Sequence, residues 1–226
     1  MKTTLKIDFV SDVACPWCAV GLASLERALE RVAPEIEAEM HFQPFELNPD
    51  MVPEGRDVTE YLGEKYGSSA EQQAQTRAHI AQRGADVGFT FNPDGRGRIW
   101  NTFDAHRLLT WAGEQDPAQQ HRLKRLLLEA YHGRAQSPAD PAVLLDAVGA
   151  AGLDVQRAQA ILAGEEFAGE VRAREAYFQR AGIHSVPAII INERHLISGG
   201  QPVEVFERAL RELAAANADE ATREEA

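Results

Sequence analysis

The sequence predicts an α/β protein with a β-α-β unit at its start, a β-β-α unit at its end, and a large all-helical insertion between the second and third strands. Three observations carry this. Thr4-Leu5-Lys6-Ile7-Asp8-Phe9-Val10 alternates with period two, as a strand does. It leads into an apolar stripe at Cys18, Leu22, Leu25, Leu29 and Val32, whose steps of four and three belong to one helix face. From Asp57 to about Gly182 helical patterns recur and no convincing strand interrupts them. Val186-Pro187-Ala188-Ile189-Ile190-Ile191 is then a short, wholly apolar run suited to a central buried strand.

In chain order, Pro34 breaks the first helix. Glu37 to Phe45 reads as a second strand, with Ala38, Met40 and Phe42 on one face and Pro44 marking its end or an edge. A helix joining these two strands implies that they run parallel, with a right-handed crossover. Helices open at Asp57 and Ser69. A glycine-rich loop spans Phe89 to Ile99, and Asn101 is expected to cap a helix bearing Phe103, His106, Leu109 and Trp111. Asp116-Pro117 and Asp140-Pro141 each pair a capping Asp with a first-position Pro. Two more helices cover Leu153 to Leu162 and Glu166 to Ala181. Asn192-Glu193 is a turn candidate, Arg194 to Ser198 pairs back as a hairpin, and Pro202 opens a last helix with Val203, Phe206, Leu210 and Leu213 on one face. The expected organisation is residues 1–56 and 183–216 as one discontinuous unit, 57–182 as a helical subdomain, and 217–226 as a disordered tail.

Composition excludes some functions. A net charge of −12 with no Lys/Arg cluster argues against a nucleic-acid partner. No apolar run approaches the ~18 residues of a membrane span. The chain enters a strand pattern at once, without a signal core, so a cytoplasmic protein is expected.

The chemistry is expected at Val13-Ala14-Cys15-Pro16-Trp17-Cys18, which holds both cysteines of the chain. Pro16 suits the first helical position, which puts Cys15 at the helix start and Cys18 one turn along the same face. Free N–H groups and the positive helix end stabilise a thiolate there, lowering the pKa below the free value of about 8.5. Cys15 is therefore the candidate nucleophile and Cys18 the resolving thiol, with Pro16 and Trp17 the loop a partner would touch. Half of a zinc site is one alternative, but structural zinc needs four ligands, and there is neither a second CxxC nor an HxxxH; no metal is expected. Two inert core cysteines are the other.

With its insertion removed, this order resembles the thioredoxin plan. The chain resembles the DsbA-like branch of that superfamily and, more narrowly, the FrnE-like dithiol–disulfide oxidoreductases. The carriers are Ser11 to Cys18, the helix Asn101 to Leu108, Gly182 to Pro187, and Ile197 to Pro202. The resemblance implies a thiol–disulfide oxidoreductase or isomerase in which Cys15 attacks and Cys18 resolves. It implies a cis Pro187 facing the dithiol, with the Val186 backbone pairing with an extended substrate. His106 is a candidate groove residue, with a satisfied histidine on a packed helix as the alternative. His184 is a weaker candidate for approaching Cys15. Asp8 could be a buried acid shuttling a proton to Cys18, or simply exposed. Trp17 is expected either exposed beside Cys15 or half-buried. A disulfide- or dithiol-containing protein or peptide is the implied partner, with the chain a monomer or homodimer. No cofactor is required, and glutathione is a candidate co-substrate. Kappa-class glutathione transferases and 2-hydroxychromene-2-carboxylate isomerases share the plan but have Ser where Cys15 stands. Glutathione-dependent transfer or isomerisation of a small aromatic compound is thus the alternative activity, and a non-catalytic, redox-switched binding or chaperone protein a third.

Overall fold

The computed structural model describes the backbone of residues 2–224 and side chains as far as 217. In chain order the elements are β1 (Thr3–Ser11), α1 (Pro16–Val32), β2 (Ile36–Pro44), β3 (Arg56–Asp57), α2 (Val58–Tyr66), α3 (Ala70–Asp86), β4 (Arg98–Ile99), α4 (Phe103–Gln115) and α5 (Pro117–Leu128). A π-helical turn (Glu129–Gly133) follows, then α6 (Pro141–Ala150), α7 (Val155–Ala163), α8 (Ala168–Arg180), β5 (Ala188–Ile191), β6 (His195–Ser198) and α9 (Val203–Glu224).

Four strands form the central sheet in the order β2-β1-β5-β6. β1 and β2 run parallel, with Phe9 beside Phe42. β1 pairs antiparallel with β5, and β5 with β6. The two inner strands enclose one face completely. Leu5, Ile7, Phe9, Ile189 and Ile191 are closed to solvent. The outer strand β2 alternates, with Ile36, Met40, Phe42 and Pro44 buried. Its flank is held by Gln120 of α5, whose side-chain amide donates to the Phe42 carbonyl at 3.1 Å and accepts from the Phe42 N–H at 3.0 Å. The helical segment thus packs on the sheet.

α1 buries more than the single predicted stripe: Ala19, Val20, Ser24 and Ala28 are also enclosed. It packs against α9 and α3 as well as the sheet, so most of its circumference is covered.

Three boundaries differ from expectation. Arg56–Asp57 and Arg98–Ile99 form a two-residue antiparallel ladder where no strand was expected, too short for periodicity to reveal. α4 begins after Thr102 rather than Asn101. Asn101 Oδ1 still accepts from the Phe103 N–H at 2.8 Å, while the Thr102 hydroxyl is committed elsewhere, as described below. The expected tail boundary at 217 falls inside α9, which continues to Glu224. The side chains from 218 onward, and residues 225–226 entirely, lie outside the described part.

Candidate active site

β1 delivers the chain to a tight turn, Asp12-Val13-Ala14, from which α1 departs. Cys15 is the residue before the first helical turn, in extended conformation (φ −91°, ψ 114°), and Pro16 follows it. The Cys15 N–H donates to the Asp12 carbonyl at 3.2 Å and the Cys18 N–H to the Cys15 carbonyl at 3.0 Å. A proline that lacks a donor sits where none is needed, so the helix starts at once and both cysteines share one turn.

The two sulfurs are free thiols, hydrogen-bonded to each other. They are electrostatically unequal. The Cys18 thiol and the N–H groups of Cys18 and Trp17 point at the Cys15 sulfur and hold its pKa below the ordinary thiol value, against the opposing effects of burial and the Asp12 charge. Burial, and then the neighbouring Cys15, push the Cys18 thiol well up. The arrangement can therefore hold a thiolate on Cys15 while Cys18 keeps its proton.

Cys15 is only 5% exposed and contributes to the wall of a cavity of about 1020 Å³. Pro16 and Trp17 line the same cavity. Trp17 is half-buried and packs on the His79 ring, centroids 5.7 Å apart. Cys15 Sγ lies 3.5 Å from the Val186 carbonyl oxygen, the Val186–Pro187 peptide is cis, and Pro187 is buried behind it. The sheet thereby brings Val186 to the dithiol from the far end of the sequence.

Other candidates lie elsewhere. His106 does not line the cavity; it is 1% exposed, with Nε2 3.3 Å from Asp12 Oδ1. It faces inward because α4 turns that side toward the Asp12 turn. Asp8 is buried, but its Oδ1 accepts from Gln43 Nε2 at 2.6 Å, on the β1 face opposite Ile7 and Phe9. His184 is exposed. The acid beneath the dithiol turn is instead Asp12. Its oxygens accept from the N–H of Ala14 (3.0 Å) and of Leu47 (2.7 Å) and from the Thr102 hydroxyl (2.8 Å). Burial pushes the Asp12 carboxyl up, but His106 and then the N–H groups of Leu47 and Ala14 hold it below the usual carboxylate range. The position of Asp12 before the cysteines was visible; its partners Leu47, Thr102 and His106, 35 to 94 residues away, were not.

Three further residues had no sequence signal. Lys124 of α5 is 1% exposed; burial lowers its pKa, against the opposing pull of the neighbouring dithiol and Asp12. Leu127 and Leu128, on the next turn, belong to the core clusters that hold Val13 and Cys18 respectively. His132 lies in the π-helical turn and on the cavity wall, and its Nε2 donates to the Val13 carbonyl at 2.9 Å. Burial and the nearby Arg96 lower its pKa to about 3, so it is neutral. Arg96 donates to the Ala14 carbonyl and lies over the Tyr131 ring, 5.4 Å from its centroid. Among the described residues no group of three or more His, Cys, Asp or Glu could hold a metal ion, and no helix is long and apolar enough to cross a membrane.

A dithiol at the junction of a β-α-β unit, facing a cis-proline that opens the next strand, defines a protein of the thioredoxin class. The chain belongs to the family described as DSBA-like thioredoxin domain, which it matches over residues 6–211. A probable DsbA oxidoreductase from Streptomyces coelicolor is 31% identical and superimposes with a TM-score of 0.85 over 94% of this chain and 90% of that one. The cytosolic disulfide reductase DsbM from Pseudomonas aeruginosa, in a structure with GSH, shares the fold at 15% identity and a TM-score of 0.63, over 92% of this chain and 98% of that one. YwbO of Bacillus subtilis, an uncharacterized protein, is 24% identical over 92% of this chain and 96% of its own length. At the level of the family, these relatives put the chain among the redox enzymes.

Proposed function

We propose that the protein is a cytosolic thiol–disulfide oxidoreductase, able also to isomerise disulfides, that works through Cys15 and Cys18. The observation that supports this best is the unequal pair: a sulfur stabilised as thiolate at a helix start, on a cavity wall, with a protonated thiol bonded to it from behind. The Cys15 thiolate attacks one sulfur of a substrate disulfide. A Cys15–substrate bond forms, the substrate S–S bond breaks, and the first substrate thiolate leaves. Cys18 then gives up its proton and attacks Cys15 Sγ, and the second substrate thiolate departs. Two electrons have passed from the enzyme dithiol to the substrate, and the reverse sequence oxidises a dithiol. Electrons come from the cysteines themselves, so the proposal includes neither metal nor organic cofactor. Val186, with its carbonyl beside Cys15, and Pro187 flank the mixed disulfide in this scheme.

The test is a pair of variants. Cys15→Ser is expected to abolish exchange with a small or peptide disulfide. Cys18→Ser is expected to stop at the first step and accumulate a covalent adduct whose mass equals protein plus one half of the disulfide. Unchanged turnover in Cys15→Ser would remove the mechanism.

A further inference from the structure

The turn ahead of Cys15 contains two peptide units that are each held at both edges. In the Val13–Ala14 unit, the N–H donates to Asp12 Oδ1 at 3.0 Å and the carbonyl accepts from His132 Nε2 at 2.9 Å. In the Ala14–Cys15 unit, the N–H donates to the Asp12 carbonyl at 3.2 Å and the carbonyl accepts from the Arg96 guanidinium. Asp12 is local to the turn, whereas Arg96 and His132 reach it from 82 and 119 residues further along the chain. A peptide unit is planar and rigid, so with its N–H and its oxygen both engaged it cannot swing between its two Cα atoms. The second unit carries Cys15. Its plane sets the Cys15 φ of −91° and with it the direction in which the side chain leaves the backbone. Val13 and Ala14 are 0% and 3% exposed, so an oxygen released by its donor is left orphaned or rotates to find another partner.

Both donors come from unusual local backbone. Arg96 stands between Gly95 and Gly97, at φ +81° and +71°, a left-handed bend that glycine adopts at little cost. His132 lies in the π-helical turn, where the consecutive residues Tyr131 and His132 are both buried; such turns recur at functional sites. Two bonds brace these segments against each other. The Asn92 N–H donates to the His132 carbonyl at 2.8 Å, and the Tyr131 hydroxyl donates to the Arg98 carbonyl at 2.7 Å. Arg96 and His132 therefore belong to one braced unit of the helical insertion.

Resting on the thiol–disulfide reading above, we propose that Arg96 and His132 are positioning residues for the exchange. By gripping the Ala14 and Val13 carbonyls they fix the peptide from which Cys15 hangs, and so keep its sulfur in front of the Trp17 and Cys18 N–H groups. The insertion thereby sets the reactivity of a dithiol that lies in the other part of the chain.

The experiment follows the rate of Cys15 labelling by iodoacetamide against pH in pre-reduced protein, at a temperature where a melt shows each variant folded. His132→Phe and Arg96→Met remove a donor, while His132→Gln and Arg96→Lys keep one. His132 is uncharged at neutral pH, so its two variants change hydrogen bonding without changing charge. Arg77→Met is the control for charge, since Arg77 of α3 lines the same cavity but makes no hydrogen bond to the turn among the described residues. Without a donor, the labelling midpoint is expected to move to higher pH, and the rate below it to fall about fivefold, the scale of one lost hydrogen bond. The Gln and Lys variants and Arg77→Met are expected to stay near the parent curve. A merely structural role would lower the melting temperature and leave the labelling curve in place, which would overturn the proposal. So would a shift as large in His132→Gln as in His132→Phe, or as large in Arg77→Met as in Arg96→Met. Should His132→Phe not fold, the two Arg96 variants and Arg77→Met decide by the same comparison. Failure of the parent protein to exchange with 2-hydroxyethyl disulfide would instead remove the thiol–disulfide reading itself.

Discussion

Asp12 Oδ1 and His106 Nε2 lie 3.3 Å apart in the closed interior, joining the turn that carries the dithiol to the fourth helix. The same carboxylate accepts from the Leu47 N–H after β2 and from the Thr102 hydroxyl, so one side chain fastens three segments. Asp12→Asn puts an amide NH₂ among groups that already donate. The expected loss is about 3 kcal/mol of stability, given ~1.5–3 kcal/mol for a hydrogen bond to a charged group. The Asp12 charge also opposes ionisation of Cys15, so the variant should lower the Cys15 pKa further. Urea unfolding reads the first effect and the pH dependence of iodoacetamide labelling the second. A labelling curve moved to higher pH would contradict this account.

Asp12 also shows where sequence reading stops. The β-α-β start, the helical segment and the closing hairpin were legible because periodicity and capping are local. So was the dithiol, because two cysteines on one helical turn are adjacent in the chain. What surrounds the dithiol was not legible. Asp12, Lys124, His132 and Arg96 converge through tertiary packing, and nothing within a dozen residues of the last three marks them. His106 was visible as a polar residue on an apolar helix, but the side it faces is set by how α4 lies against the Asp12 turn. The same packing closes over Cys15, which local helix geometry alone would leave open.

Cys18 is the largest single cause of the low Cys15 pKa, through its thiol hydrogen bond. Cys18→Ala should therefore raise the Cys15 pKa and slow its alkylation at neutral pH, although it removes a competing nucleophile. In the parent protein, mass spectrometry after brief alkylation at pH 7 should find Cys15 modified and Cys18 untouched. In linkage terms, Cys15 ionises more easily folded than unfolded. Its contribution to stability is fully present above the unfolded thiol pKa and is lost as pH falls through the lowered folded value. Equal labelling of both cysteines would count against the pair as described.

His132 gives a stability signature at acid pH. Its pKa falls from 6.5 to about 3 on folding, because burial excludes the imidazolium. Below pH 6.5 the unfolded chain gains a proton that the folded chain refuses, so this group destabilises by roughly 1.4 kcal/mol per pH unit until about pH 3. His132→Gln keeps a donor for the Val13 carbonyl without titrating. The stability difference between variant and parent should shift toward the variant as pH falls from 6 to 4, and a difference independent of pH would show that His132 titrates normally.

Glu46 works in the opposite sense. Burial, with Glu175 nearby, raises its pKa from 4.5 to about 7, despite its ion pair with Arg172. One oxygen of Glu46 and one of Glu175 lack a hydrogen-bond partner, as expected where two acids share one arginine. Between pH 4.5 and 7 the folded state holds a proton the unfolded state has lost, so this contribution is full below pH 4.5 and declines as pH rises through 7. Relative to the parent, Glu46→Gln should gain about 2 kcal/mol between pH 5 and 8, at ~1.4 kcal/mol per unit of pKa difference. Parallel stability curves across that range would refute the raised value.

Gly21 sits where α1 touches the segment carrying Val186. A Cβ there would lie 3.0 Å from Pro187 Cγ and 3.2 Å from Gly200 Cα, and neither a proline ring nor a glycine backbone can swing aside. Two effects compete in Gly21→Ala. Helix propensity favours alanine by ~1 kcal/mol, and overpacking costs ~1–3 kcal/mol. Overpacking should win on stability, and relief requires the Pro187 segment to retreat, drawing the Val186 carbonyl from its place 3.5 Å from Cys15 Sγ. Gly63 in α2 is the control, since a Cβ there meets nothing closer than Ser68 O at 3.5 Å. Gly63→Ala should stabilise by up to ~1 kcal/mol through propensity alone. Thermal melts and disulfide-exchange rates on both variants separate the cases: Gly21→Ala should lose stability and slow exchange together, and a stabilised, fully active Gly21→Ala protein would mean that this contact does not position the site.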